Sequence, residues 1–579
     1  MRFNRKIISV YLFILALIFS CNTEKDNRQF ADSIIYGGTI YTVDGQHTTV
    51  EAVAVRGDKI LAVGAMDEIT SYKGDSTKMI DLKGKTMTPG FIEGHGHFMG
   101  LGYNKLQLDL LDVTSYDELI HRVEEAVRKA QPGEWITGRG WHQDKWDSIP
   151  KPVIKGFQTH DRLSAISPDN PIFLKHASGH AAFANAKAME IAGVLAMSKE
   201  NLQNMDVEGG EIIKDELGNP TGIFSETAQG IIAQHVPESS REQDNKALAQ
   251  AVKACHENGI TSFHDAGVGK DHIALFKEAK ADGKLGVRMY VMLTGWDREL
   301  LEDWYKKGAE IDTVDHLLTI RSVKLNCDGA LGARGAWLLK EYSDRPGHFG
   351  HETLPMDFVL ETSRKALESG FQVCAHAIGD RANKEILDRY EQAFKEQPEA
   401  ADGHRFRIEH AQHLHPDDIP RFAELGVIPA MQAIHMSSDR PWAIDRLGQE
   451  RIEQGAYVWQ KLLQSGARIV NGTDVPVEPI DPIACFYASV SRKTLKGTPD
   501  GGYEPSQRMT REQALRSYTI DAAYGAFEED VKGSIAPGKL ADFTVFSQDI
   551  MTVPEDQMLQ TEVDMTIVGG KVVYSRSNL

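Results

Sequence analysis

The 579-residue chain is short of cysteine, of positive charge and of long apolar runs, and each shortage excludes a class of protein. Its five cysteines, Cys21, Cys255, Cys327, Cys374 and Cys485, are widely spaced and form no C-x-x-C pair, so neither a thiolate zinc site nor a disulfide framework is expected. The last four sit mostly inside apolar runs such as FQVCAH and read as buried free thiols. Lys and Arg number 64 against 83 Asp and Glu, a formal charge of −19, with no basic block beyond the extreme N-terminus. Phosphate binding needs a concentrated basic surface, so a nucleic-acid partner is not expected. The apolar stretch from Ile7 to Phe19 falls short of the roughly 20 residues that a spanning helix requires. What is present, 41% hydrophobic and 25% charged residues, is the composition of a folded globular protein.

The N-terminus has the order of an export signal: Arg2, Arg5 and Lys6, then the apolar stretch, then Ser20-Cys21 and a polar run. It resembles a bacterial lipoprotein signal occupying residues 1–21, in which Cys21 would carry the lipid. An ordinary secretory signal or short membrane anchor is the alternative. Either places the protein outside the cytoplasm, and the lipoprotein reading puts it on the periplasmic or cell-surface side of a bacterial membrane, touching that membrane only through its anchor.

Beyond this tail, DSIIYGGTIYTVD (32–44) and AVAVRGDKILAVG (52–64) read as strands with Gly-Gly and Gly-Asp turns, and ADFTVFSQD (541–549) and DMTIVGGKVVYS (564–575) repeat the style. Isolated hairpins are marginal, so residues 31–87 and 536–579 are expected to join in one small β domain. Between them, short β-branched runs alternate with helical stretches. Strands are expected near TPGFIEGHGH (88–97), 259–267, 287–294, 320–329, 371–380, 406–412, 427–432 and 468–476. Eight such units predict an α/β fold with a closed (β/α)8 TIM-like barrel over 88–535, whose functional groups gather at the C-terminal ends of its strands. The segment from about 102 to 258 is too long for one connection and must hold an inserted subdomain, read as a lid over the barrel mouth. Its Trp141, Trp146 and Phe183 suggest a pocket for an apolar or aromatic group, with a second core as the alternative.

In TPGFIEGHGHF, His95 and His97 stand two residues apart, which on an extended backbone puts both on one face where they can converge on a single ion. The predicted strand ends add Lys324 on strand four, His376 on strand five, His410 on strand six and Asp474 on strand eight. Any one of these is more often a packed histidine or a surface charge; six at one end of a barrel form a candidate metal site. Imidazoles and carboxylates suit zinc, with iron or manganese as alternatives.

The succession PGFIEGHGH, VKLNCDGALGARGA, AHAIGDRAN, RIEHAQ, NGTDVPVEP and GSIAPGKLADFTVF resembles the amidohydrolase superfamily, in the amidohydrolase-3 branch that includes N-substituted formamide deformylases. The resemblance covers essentially all of the chain after the signal. It implies a (β/α)8 barrel with a composite β-sandwich built from both chain ends and a centre of one or two metals. His95 and His97 would bind the first metal, His376 and His410 the second, and Asp474 would serve as ligand and proton shuttle. Glu93 stands where many relatives carry an aspartate. Lys324 is either a carbamate (N6-carboxylysine) bridging two metals, or a plain lysine paired with Asp328 beside a one-metal site. The implied reaction is hydrolysis of a non-peptide carbon–nitrogen bond, in an amide or an N-acyl or N-formyl amine, by metal-activated water, with His180 or His413 as donor to the oxyanion. Ester or lactone hydrolysis and deamination are the enzymatic alternatives, and a non-catalytic metal-retaining binding lipoprotein is the alternative outside enzymes. The partner is a small-molecule substrate, and a homodimer is a candidate assembly.

Overall fold

A computed structural model describes residues 30–45, 49–197, 207 and 209–576. Cys21 and the whole export segment lie outside the described residues. Among those described, no helix is long and apolar enough to cross a membrane, and Cys255, Cys327, Cys374 and Cys485 are buried free thiols.

The centre is a parallel barrel whose eight strands follow chain order: Phe91–Gly96, Ile260–Val268, Arg288–Thr294, Leu318–Asn326, Gln372–Ala377, Arg407–His410, Ile428–Met431 and Val470–Asn471. All eight lie where the apolar runs placed them, because strands buried on both faces read as nearly continuous hydrophobic stretches. The helices between them are one-sided. In Asp380–Glu396 the buried residues Ala382, Asn383, Ile386, Leu387, Tyr390 and Ala393 recur at intervals of one, three and four along the face that meets the barrel. Strands one and eight are joined by two bonds at their C-terminal ends, where Asp474 N donates to His95 O at 2.8 Å and His97 N donates to Val475 O at 2.7 Å. Their close approach needs Gly94, where a Cβ would come within 2.3 Å of Asn471 O.

The two chain ends meet in a single mixed sheet of eight strands, joined where Thr86–Pro89 pairs antiparallel with Phe543–Phe546. Gly569 and Gly570 make a turn between Val563–Val568 and Lys571–Ser575, as expected. Gly37 and Gly38 do not. They form an irregularity within one strand, Ser33–Tyr41, because the chain presses against its neighbours there: a Cβ on Gly38 would lie 2.1 Å from Lys85 O.

The insert carries its own six-stranded sheet, running in order through Gly210–Lys214, Pro220–Glu226, Ala181–Ala184, Ile172–His176, Ile136–Trp141 and Leu108–Asp109. Trp141, Trp146 and Phe183 do not face a pocket. They pack with Tyr116, Leu119 and Leu163 into a separate hydrophobic core, so the second-core alternative holds for these three. Each large apolar side chain buried there contributes about 1.5–3 kcal/mol, which gives the insert stability of its own.

Candidate metal centre

At the C-terminal ends of the barrel strands, side chains of strands one, four, five, six and eight line one cavity of about 1170 Å³, with His97, Lys324, His376, His410 and Asp474 in its wall. His95 lies just beneath. Ligand-capable atoms of His95, His410 and Asp474 fall within 4.8 Å of one another. His97 Nε2 is 3.2 Å and His95 Nε2 3.7 Å from Asp474 Oδ1. The grouping departs from the expected pairs, since His410 joins His95 and Asp474, while its ring also lies 4.5 Å from that of His376.

The backbone is bent to bring these groups in. His410, Ala411 and Asp474 have φ of +73°, +41° and +59°, a left-handed region that L-residues avoid. Such residues cost about 1–3 kcal/mol each and persist where the surroundings enforce them, characteristically at functional sites.

Three imidazoles are held from behind at Nδ1: His95 by Glu409, His97 by the Ala266 carbonyl at 2.9 Å, and His410 by Gln432 Oε1 at 2.6 Å. With the proton on Nδ1, each Nε2 keeps its lone pair for a ligand. Burial lowers the His95 pKa to about 4, aided by Lys324, and takes His376 and His410 well below the usual range, so all three are neutral at physiological pH. Burial raises the Asp474 pKa, but His97, His95 and His410 outweigh it and hold the carboxyl well below its ordinary value. Nε2 of His95, His376 and His435 and Oδ1 of Asp474 are buried without a hydrogen-bond partner. Leaving each unsatisfied costs about 1–3 kcal/mol. The neutral nitrogens of His95 and His376, the unpartnered Nε2 of His435 and an anionic oxygen of Asp474 fit a divalent cation.

Lys324 is buried at the end of strand four, and desolvation lowers its pKa against the opposing pull of Glu409 and Asp474. It is not paired with Asp328. That carboxylate instead accepts the backbone N–H groups of Trp337, Ile378 and Gly379 at 2.9, 3.0 and 2.8 Å, and lies 3.3 Å from His376 Nε2.

Of the two candidate oxyanion donors, the structure brings only one to the cavity. His180 lines it from the insert, its Nδ1 bonded to Glu226 at 2.8 Å. Burial lowers its pKa, but Glu226, with Asp328 and Asp474, turns the net shift upward, so the ring tends to hold a second proton. His413 does not line the cavity. It is buried behind it, edge-on to Tyr457 at 5.3 Å, with its pKa lowered to about 3 by burial.

The sequence reading missed His435, in the first turn after strand seven, whose Nε2 lies 3.8 Å from Asp474 Oδ2. It also missed Glu409 and Gln432, which hold the ligands, and named Glu93 without a role. Glu93 accepts Thr473 N at 2.7 Å and Thr473 Oγ1 at 2.8 Å, tying the Asp474 loop to strand one. Its pKa rises to about 8 through burial, against these bonds. The available signal was position: Gln432 and His435 follow strand seven as His410 closes strand six.

Residues 78–574 match the model of the Amidohydrolase family. The chain is 34% identical over 560 residues to Protein LONG AFTER FAR-RED 3 of Arabidopsis thaliana, covering 94% of this chain and 92% of that one. It is 27% identical over 568 residues to N-substituted formamide deformylase of Arthrobacter pascens, covering 95% and 99%. The crystal structure of an uncharacterized metal-dependent hydrolase from Pyrococcus horikoshii ot3 matches with a TM-score of 0.70 at 28% identity, covering 90% of this chain and 99% of that one. With a donor cluster fit for a divalent cation at the mouth of a parallel barrel, and a family match over most of its length, the chain belongs to the amidohydrolase family and is a metal-dependent hydrolase of carbon–nitrogen bonds.

Proposed function

We propose that the protein hydrolyses a non-peptide amide, an N-acyl or N-formyl amine, at this cavity. The observation that carries the reading is the set of buried, unpartnered donor atoms of His95, His376, His435 and Asp474 at its floor. His95, His97, His410 and Asp474, with His376 and, as a carbamate, Lys324, would hold the metal, and their nitrogen and oxygen donors suit zinc. When bound, a divalent cation lowers the pKa of water from about 15.7 toward 7 and polarises a carbonyl.

The chain's own groups do the rest. Asp474, ionised and facing His97 and His95, accepts a proton from the attacking water at a carboxylate oxygen and returns it to the leaving nitrogen, which departs poorly as an anion. His180, its Nδ1 fixed on Glu226, offers Nε2–H to the oxygen that gains negative charge. The insert acts as a lid, tied to the barrel by the ion pair of Lys145 and Glu478 at 3.1 Å, and sets the pocket's shape. The strain at His410 and Asp474 favours catalysis over metal storage, since a binding lipoprotein has no need of a proton carrier beside its ligands. Export and lipidation at Cys21 remain part of this reading, on the order of residues in the N-terminal segment.

A panel of N-acyl and N-formyl amines, esters and lactones, assayed on a preparation whose metal content is measured, tests the proposal. Amine release that scales with metal content and ceases on chelation is expected. Fully loaded protein that cleaves only the esters or lactones would refute it.

A further inference from the structure

One part of the cavity wall is not used by the chemistry above. In the insert, strands Ile136–Trp141 and Ile172–His176 run parallel with Arg139 directly beside Lys175. Both side chains line the cavity that holds Asp474 and His410. Like charges on directly neighbouring strand positions repel, so this arrangement is unfavourable by itself. Neither cation forms an ion pair with a carboxylate among the described residues. Lys145, in the same wall, has Glu478 at 3.1 Å, and the chain carries 83 acidic residues against 64 basic ones, so the absence of a partner here runs against the protein's own habit. Arg139 donates from Nη2 to Ala177 O at 2.8 Å, and its Nε is buried without any partner. Arg139 is half-buried and Lys175 is exposed within the cavity; desolvation lowers the pKa of both, with Arg139 adding to the effect on Lys175, and an incoming anion would reverse this.

From these observations we infer that Arg139 and Lys175 form a subsite for a substrate carboxylate, and that the substrate is an N-acyl amino acid. The inference rests on carbon–nitrogen hydrolysis at this cavity. A half-buried Arg fork beside a Lys point charge is a suitable carboxylate receptor. The distance to the reacting bond is short in chain terms: Ala177, whose carbonyl anchors Arg139, is three residues from His180, and Arg139 is close enough to Asp474 to feel its charge. That proximity suits a carboxylate on the carbon bonded to the scissile nitrogen. Strand alternation places Trp135 and Phe173 on the same cavity face as the two cations, where they give an apolar surface for the amino acid side chain.

The test compares kcat/KM for N-acetylphenylalanine and its neutral carboxamide, in the wild type, Arg139→Gln and Lys175→Met. The wild type should prefer the carboxylate by at least about 10-fold. Each variant should lose about 10- to 100-fold on the carboxylate, mostly in KM, the size of one charge-assisted hydrogen bond, while changing less than about threefold on the carboxamide. Equal losses on both substrates, or a wild-type preference for the carboxamide, would overturn the subsite and leave amide hydrolysis standing. If neither compound is cleaved, calorimetric binding of 3-phenylpropanoate to the metal-loaded protein decides. Weaker binding to Lys175→Met, a change that breaks no bond among the described residues, supports the subsite, and unchanged binding overturns it because the carboxylate is then held elsewhere.

Discussion

Glu409 offers the most direct test of how this centre is held. It is wholly buried beside the equally buried Arg407, to which it is bonded twice, Arg407 Nε to Oε1 at 2.7 Å and Nη2 to Oε2 at 2.9 Å. Oε2 also accepts the Nδ1 proton of His95 in a short bond. One carboxylate oxygen thus fixes which nitrogen of His95 is protonated. Arg407 and His95 overcome the burial penalty and hold the Glu409 carboxyl far below its ordinary range, so it is ionised at any working pH.

Glu409→Gln keeps the shape and removes the charge. The new amide can offer its oxygen to Arg407, but its NH2 then stands where Oε2 accepted two protons, and donor faces donor. His95 relieves the conflict by moving its proton to Nε2, the atom that must stay bare to bind metal. Changes to such supporting groups typically cost about 10- to 100-fold in metal affinity, or about 1.4 to 2.8 kcal/mol. Folding stability also falls, because breaking a buried pair leaves Arg407 uncompensated at a cost of about 3–5 kcal/mol. The two effects separate in Arg407→Gln, which removes the guanidinium and leaves the Glu409 to His95 bond in place: stability should fall while metal affinity stays within a few-fold. Zinc affinity from chelator competition, beside urea unfolding on the same samples, gives both numbers. Wild-type zinc affinity in a destabilised Glu409→Gln protein would show that Glu409 serves Arg407 alone, and the tautomer argument would fail.

Two further outcomes are expected. Asp474→Asn should lower kcat by about 10²- to 10⁴-fold with KM and bound metal largely kept, since the amide oxygen can still face the ion; near-normal turnover would mean another group carries the proton. His404, remote from the cavity, accepts the Phe406 N–H at Nδ1, donates from Nε2 to Leu425 O and stacks on Phe394, and burial lowers its pKa to about 4. Below about pH 6.5 the unfolded chain takes a proton that the folded one refuses, so stability is lost as pH falls from 6.5 to 4, by about 3 kcal/mol in full. The slope of unfolding free energy between pH 7 and 4.5 should be shallower in His404→Gln than in the wild type, and parallel slopes would count against a neutral buried His404.

How far the sequence could be read depends on whether strand parity survives to the end of each strand. His95 and His97 were legible as a pair from their spacing alone, although the register of strand one against strand two shifts between Glu93 and Gly96, and every barrel strand was legible as an apolar run. After strand six the rule fails. His410 and Ala411 both take positive φ, so the chain leaves the strand in a direction no alternation predicts, and His413 is carried behind the cavity while His435, a helix residue after strand seven, comes over Asp474. The insert fails in the same way at one residue. Trp135, Thr137 and Arg139 face the cavity and Ile136 faces the core, which by parity would send Trp141 to the cavity. Gly140, at φ +116°, breaks the register between Arg139 and Trp141 and turns the indole inward, leaving His142 to line the wall. A Cβ at Gly140 would lie 2.5 Å from Leu111 N, so the bulge is fixed by packing that lies 29 residues back along the chain. Trp141 and Trp146 are prominent in the sequence and end in the core. Arg139 and Lys175 are inconspicuous there and end in the cavity, because which face a strand residue takes is decided by contacts that its own neighbours do not record.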